Sequence, residues 1–201
     1  MMLPDGYHDL PEGRVAAVVT YLEMRSRPPV RPVPAVEAVA IRRVEKPDVN
    51  SYRDLFRAVG EPWLWFSRLH LPDAELSAVL QHPQVQVYVL EAAGVAKGLL
   101  ELDSREEDGV EISFFGLRPD IVGKGAGRLL MDFAIRQAWS EDCGRLFLHT
   151  CTLDHPDALS FYLRSGFKPY RRAVEVFEDP RLTGLVSPNA ASHVPVIMPM
   201  R

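Results

Sequence analysis

The chain has 201 residues, 47% apolar and 25% charged, and its 23 basic and 27 acidic side chains give a formal net charge of −4. That length supports one domain with a substantial core. The mild acidity argues against a surface built to coat nucleic acid or an anionic membrane. Cys143 and Cys151 are too few for a disulfide scaffold, and no metal-ligand spacing surrounds them. The opening MMLPDGYHDLPEGR has no basic and apolar leader, and no run of about 18 apolar residues exists. The expectation is a soluble cytoplasmic protein with no metal and no membrane or nucleic-acid partner.

In chain order, residues 14–24 (RVAAVVTYLEM) have strand composition. Four prolines follow between Pro28 and Pro34, a density that forces an extended linker. Residues 1–35 are read as an N-terminal extension whose strand adds to the main domain or to a partner, and 36–201 as the main domain. The first core strand is expected over 36–44. Asp48 then caps a helix with Tyr52, Leu55, Phe56 and Val59 on one face and Gly60 as its C-cap. The aromatic stretch EPWLWFSRLHLP leads to a short helix from Asp73, with Leu76, Val79 and Leu80 inward. Residues 85–90 and 97–103 form a hairpin through Ala93-Gly94. VEISFFGL, at 110–117, is a third strand.

The next segment, GLRPDIVGKGAGRLLM, carries Gly123, Gly125 and Gly127 at every second position. Glycine allows positive φ and close approach to backbone amides. A helix starting behind such a loop points free N–H groups and its positive dipole end at whatever occupies it. That combination suits phosphate oxygens, and Lys124 and Arg128 add charge. Two phosphate motifs fail here: Lys124 is followed by Gly125 rather than Ser or Thr, and the spacing is GxGxG rather than GxGxxG. The helix, with Leu130, Phe133, Ala134 and Ala138 on one stripe, is expected to stop near Gly144. A strand over 145–151, a helix over 157–165 stopped by Gly166, and a strand in FKPYRRAVEVF complete the pattern. The result is a mixed α/β (α+β) domain, mostly antiparallel, with one parallel crossover around the helix.

The segment resembles the acyl-CoA loop of the GNAT superfamily, the Gcn5-related N-acetyltransferases. That loop reads Arg/Gln-x-x-Gly-x-Gly/Ala. Here Val122, Gly123, Lys124, Gly125, Ala126 and Gly127 fill the six positions, with Val122 replacing Arg or Gln and so losing one side-chain donor. Downstream, HPDALSFYLRSGF resembles the family's Asn-x-x-Ala…Tyr-x-(Lys/Arg)-x-Gly-Phe. Ala158, Tyr162, Arg164, Gly166 and Phe167 fit, and His155 replaces Asn. The resemblance covers roughly 37–178.

It implies a GNAT fold with a sheet splayed at the cofactor site, and acyl transfer from acetyl-CoA to an amine. Phe115, Gly116 and Leu117 would offer backbone groups to the pantetheine arm. Val122–Arg128 would hold the pyrophosphate, and His155 would stand where Asn contacts CoA, act as a base, or cap the next helix. Tyr162 would protonate the leaving thiolate. Glu111 is the candidate base, deprotonating the amine through water, with Glu101 and Asp103 as competitors. His149 reads as structural. Cys151 has no neighbouring base to support a covalent route. Trp63, Trp65 and Phe66 suggest an acceptor wall, a homodimer contact or a core corner. The rival reading is a non-catalytic CoA-binding sensor or interaction module of the same fold.

Overall fold

The computed structural model describes residues 3–29, 38–139 and 143–200. Most of the proline linker and residues 36–37 of the first expected core strand lie outside them. The long helix ends at Ala138 with Trp139 as its C-cap, ahead of the stop expected near Gly144. The elements are β1 (Arg14–Met24), β2 (Val39–Arg43), α1 (Val49–Gly60), α2 (Ser67–His70), α3 (Asp73–Leu80), β3 (Val85–Ala92), β4 (Val95–Asp103), β5 (Val110–Leu117), α4 (Ala126–Ala138), β6 (Leu146–Cys151), α5 (Ala158–Ser165) and β7 (Lys168–Glu178). No helix among the described residues is long and apolar enough to cross a membrane.

Among the described residues seven strands form one sheet, in the order β2-β3-β4-β5-β6-β1-β7. All neighbours are antiparallel except β5 and β6, which the α4 crossover joins in parallel. The β3–β4 hairpin turns through Ala93 and Gly94, both at positive φ (51° and 74°), as a tight two-residue connection requires. β1 does not hang on an edge. It lies between β6 and β7, antiparallel to both. Its side chains alternate between the two faces, with Leu22 and Met24 in one core and Val15 and Ala17 in the other.

On one face α4 packs Leu130, Met131, Ala134 and Ala138 against Leu100, Leu102, Ile112, Leu146 and Leu148. On the other, α1 and α3 pack Leu55, Phe56, Leu76 and Leu80 against Val87, Val89 and Leu99. Asp48 caps α1 by accepting the Ser51 N–H at 2.8 Å, worth about 1 kcal/mol. Gly60 is not the C-cap that the sequence suggests, since α1 runs through it into a 3₁₀ turn at Glu61–Trp63. Its role is close packing: a Cβ there would lie 2.4 Å from the Trp65 ring. The last segment folds back onto the domain. Arg181, almost fully buried, donates to Asp179 and to the carbonyls of Ala190, Ala191 and Val194.

Candidate active site

β5 and β6 pair at only two positions, Val110 with Leu146 and Glu111 with Phe147. Beyond them β5 continues to Leu117 and β6 to Cys151 without a shared ladder, while β4 still pairs with β5 as far as Leu117 and β1 with β6 as far as Cys151. The two strands therefore part, and the main-chain groups on their facing edges are left for a ligand to satisfy. Phe115, Gly116 and Leu117 line the β5 side of this gap. A bulge helps to shape it. Opposite Glu101 and Leu102, β5 presents Phe114 and Ile112, so Ser113 is the extra residue and the strand twists there.

The glycine loop stands at the end of β5. Gly123 and Gly125 take φ of 80° and 85°, positions that a side chain would strain. Nothing lies within 4 Å of a Cβ built on Gly123. Gly125 precedes the first residue of α4, and no side chain among the described residues caps that helix. The first-turn N–H donors of Ala126, Gly127 and Arg128 thus lack intrahelical partners, and the loop leaves room in front of them. This fits an anionic phosphate group by both shape and donor chemistry. Val122 is 42% exposed at this rim. Lys124 folds back to donate to the Asp120 carbonyl at 2.8 Å. Arg128 lines a cleft of about 460 Å³ between α4 and α5, together with Arg27, Pro28, Met131, Phe161 and Arg164.

Tyr162 approaches the gap from the α4–α5 face. It is 8% exposed and packed edge-on against Phe115, Phe161 and Phe167, with ring centroids 5.6–6.2 Å away. Its hydroxyl has no hydrogen-bond partner among the described residues. Burial, with the Asp154 charge adding, pushes its phenol far above the usual tyrosine range, so it stays protonated and able to donate.

Glu111 and His149 lie on the opposite face, at the root of the gap. Glu111 Oε1 stands 3.6 Å from His149 Nδ1, and the imidazole is 49% exposed. The Glu111 carboxylate raises the His149 pKa, against a smaller lowering from burial. The sequence reading separated these two residues, one as a base and one as structural; the fold brings them together. Glu101 and Asp103, the competing carboxylates, are otherwise engaged. Glu101 is fully buried, accepts from the Tyr52 hydroxyl at 2.6 Å and is paired with Arg68. Asp103 is held by Arg105.

His155 opens α5. Its Nδ1 accepts the Asp157 N–H at 3.1 Å and its carbonyl accepts from Ala158, while its ring meets Trp63 edge-on. Trp65 covers the outer end of β5, packed on Phe56 and Phe114. Its indole donates to Asp154 at 3.1 Å. Asp154 also accepts from the Thr150 hydroxyl and the Cys151 N–H, so it ties the α1–α2 connection to the end of β6 across the mouth of the gap. Sequence reading missed this residue; the only signal was its place in the unusual phrase TCTLDHP. Burial pushes the Cys151 thiol up to about 11, which leaves it a poor nucleophile at neutral pH.

Gly116 is where this wall touches the strand. A Cβ there would lie 2.4 Å from Val59 Cγ1 and 3.0 Å from the Trp65 ring. Gly116→Ala is expected to destabilise the fold by about 1–3 kcal/mol through overpacking, read as a lower urea midpoint with an unchanged slope.

The sequence model of the acetyltransferase (GNAT) family matches residues 51–167, more than half of the chain. The chain belongs to the GNAT acetyltransferase family. Its fold is similar to that of several solved structures. A GCN5-related N-acetyltransferase from Sphaerobacter thermophilus superposes with a TM-score of 0.60 at 18% identity, over 81% of this chain and 51% of that one. A functionally unknown conserved protein from Staphylococcus epidermidis gives 0.59 at 16%, over 83% and 64%. A GNAT family acetyltransferase from Elizabethkingia anophelis, solved with acetyl-CoA bound, gives 0.52 at 15%, over 68% and 80%. The chain thus spans about one half of the first of these and under two thirds of the second. At these identities the likeness is one of fold. No curated protein matches the sequence.

Proposed function

We propose that this GNAT chain is an N-acyltransferase that moves an acetyl group from acetyl-CoA to a primary amine. The observation that carries the reading is the parting of β5 and β6 just after Glu111 and Phe147, with an uncapped helix start beside it. Bound acetyl-CoA supplies the activated thioester; the protein supplies position and proton transfer. The amides of Ala126, Gly127 and Arg128 bind the pyrophosphate, and the arginine-lined cleft between α4 and α5 takes the charged nucleotide end. The free edge of Phe115–Leu117 holds the pantetheine arm. Val122 contributes no donor, so the loop relies on its backbone.

The acceptor enters from the opposite face. A primary alkylamine is charged at pH 7 and must lose a proton before it attacks. Glu111 is the carboxylate free to drive that loss, since Glu101 and Asp103 are committed to arginines. Tyr162, on the other side of the gap, gives a proton to the departing sulfur. Donor and acceptor sides of the reaction thus stand on opposite faces of one opening.

The test is thiol release from acetyl-CoA at pH 7–8 with a panel of primary amines, from alkylamines and polyamines to peptide lysines. Amine-dependent release that is proportional to enzyme and saturates with acceptor is the expected result. Tight CoA binding with no release by any amine would instead leave a CoA-binding module.

A further inference from the structure

We propose that His149 is the group that takes the proton from the incoming amine, with Glu111 acting through it as a positioning residue. The inference rests on the transferase reading above and names the base within that site.

The geometry gives His149 the better position. Glu111 belongs to the last pair that still joins β5 to β6, so its carboxylate sits at the closed root of the gap. His149 is two residues further along β6, where the strands have already parted, and its side chain is on the same face of the sheet as Glu111. Nδ1 faces the carboxylate at 3.6 Å. A hydrogen on Nδ1 directed at Glu111 leaves Nε2 as the lone-pair nitrogen, the tautomer a general base requires. The ring is held from the other side by Tyr21 of β1, 5.7 Å away, and Arg171 of β7 stacks over that tyrosine at 4.1 Å. Asp154 beyond β6 and Glu175 of β7 also act on the imidazole, and both favour its charged form. The surroundings therefore accept a positive charge on His149, which is the state it reaches after taking a proton. β1 has a part in this arrangement, because it supplies Tyr21 and pairs Tyr21 directly with His149.

The protons balance as follows. An alkylammonium acceptor carries two protons that the amide product lacks. The first goes to His149 Nε2 and then to solvent, freeing the nitrogen lone pair. The C–N bond forms and the C–S bond breaks, with the sulfur taking the Tyr162 proton. The second amine proton is released after the C–N bond has formed and replaces the one Tyr162 gave.

Two measurements on the full chain test the assignment. The first follows the His149 ring signals by NMR against pH, in wild type and in Glu111→Gln. The midpoint is expected above 6.5 in wild type and lower in the variant; a midpoint unmoved by E111Q overturns the pairing. The second measures thiol release from acetyl-CoA with two probes, ethylamine, which is charged at pH 7, and methoxyamine, which is neutral there. His149→Gln is expected to lower kcat/KM for ethylamine by ~10²-fold and to leave methoxyamine nearly unchanged, with CoA binding and thermal midpoint intact. Equal losses for both amines, or none for either, overturn the role of His149 while leaving the transferase reading standing. A wild type that releases no thiol with any amine overturns both.

Discussion

Replacing Glu101 with Ala is expected to lower the unfolding free energy by about 3–5 kcal/mol, the cost of leaving a buried charge without its partner. Glu101 has no exposed surface, and Arg68 keeps only 14% of its side chain in water. The guanidinium lies over the Phe114 ring, 4.9 Å from its centroid, and its Nε is buried without a partner. Arg68 therefore depends on Glu101 for its compensation. Tyr52 would lose its acceptor as well. The effect is one of broken pairing and not of charge as such. The double variant Glu101→Met with Arg68→Met is thus expected to recover most of the loss, as buried ion pairs replaced by apolar side chains commonly do. Urea unfolding of Glu101→Met, Arg68→Met and the double variant gives the coupling. Additive losses would show that the two side chains stabilise the fold independently.

Tyr162→Phe is expected to lower activity while leaving stability nearly unchanged. The ring packs among Phe115, Phe161 and Phe167, and phenylalanine preserves that packing. The hydroxyl has no hydrogen-bond partner among the described residues and is not fully enclosed, so its removal costs the fold little. The variant should be about as stable as wild type, and CoA should still bind. Turnover should fall by ~10²-fold, the usual size of a lost general acid. If turnover is unchanged, the leaving sulfur takes its proton from water.

Much of the scaffold was legible because it is local. Tyr52, Leu55, Phe56 and Val59 recur at helical spacing, and all four are buried on one face of α1. Val110–Leu117 was read at its observed bounds, and Ala93-Gly94 marked its hairpin by its conformational demand. The glycine loop was visible for the same reason. What sequence could not supply was partnership. Nothing in RVAAVVTYLEM says that it will lie between β6 and β7, since strand composition is silent about neighbours. The parting of β5 and β6 has no local signal either, because it is the end of a ladder between distant segments, and it was expected only through the family resemblance. Gly60 looked like a helix stop, and only the Trp65 ring against it reveals the packing reason. Asp154 reaches Trp65 across 89 residues, and the Glu111–His149 pair likewise exists only once the parallel crossover has closed.

The central claim is that the glycine loop and the opening beside it hold coenzyme A. Thermal unfolding of the full chain with and without CoA tests it most directly, since a ligand that binds only the folded state raises stability by about 2.7 kcal/mol at a hundred times its Kd. The account predicts a clear rise in Tm with CoA and acetyl-CoA, reduced for pantetheine, which lacks the pyrophosphate. An unchanged Tm at millimolar CoA would contradict it: the amides ahead of α4 would then hold no phosphate, and the parted strands no cofactor.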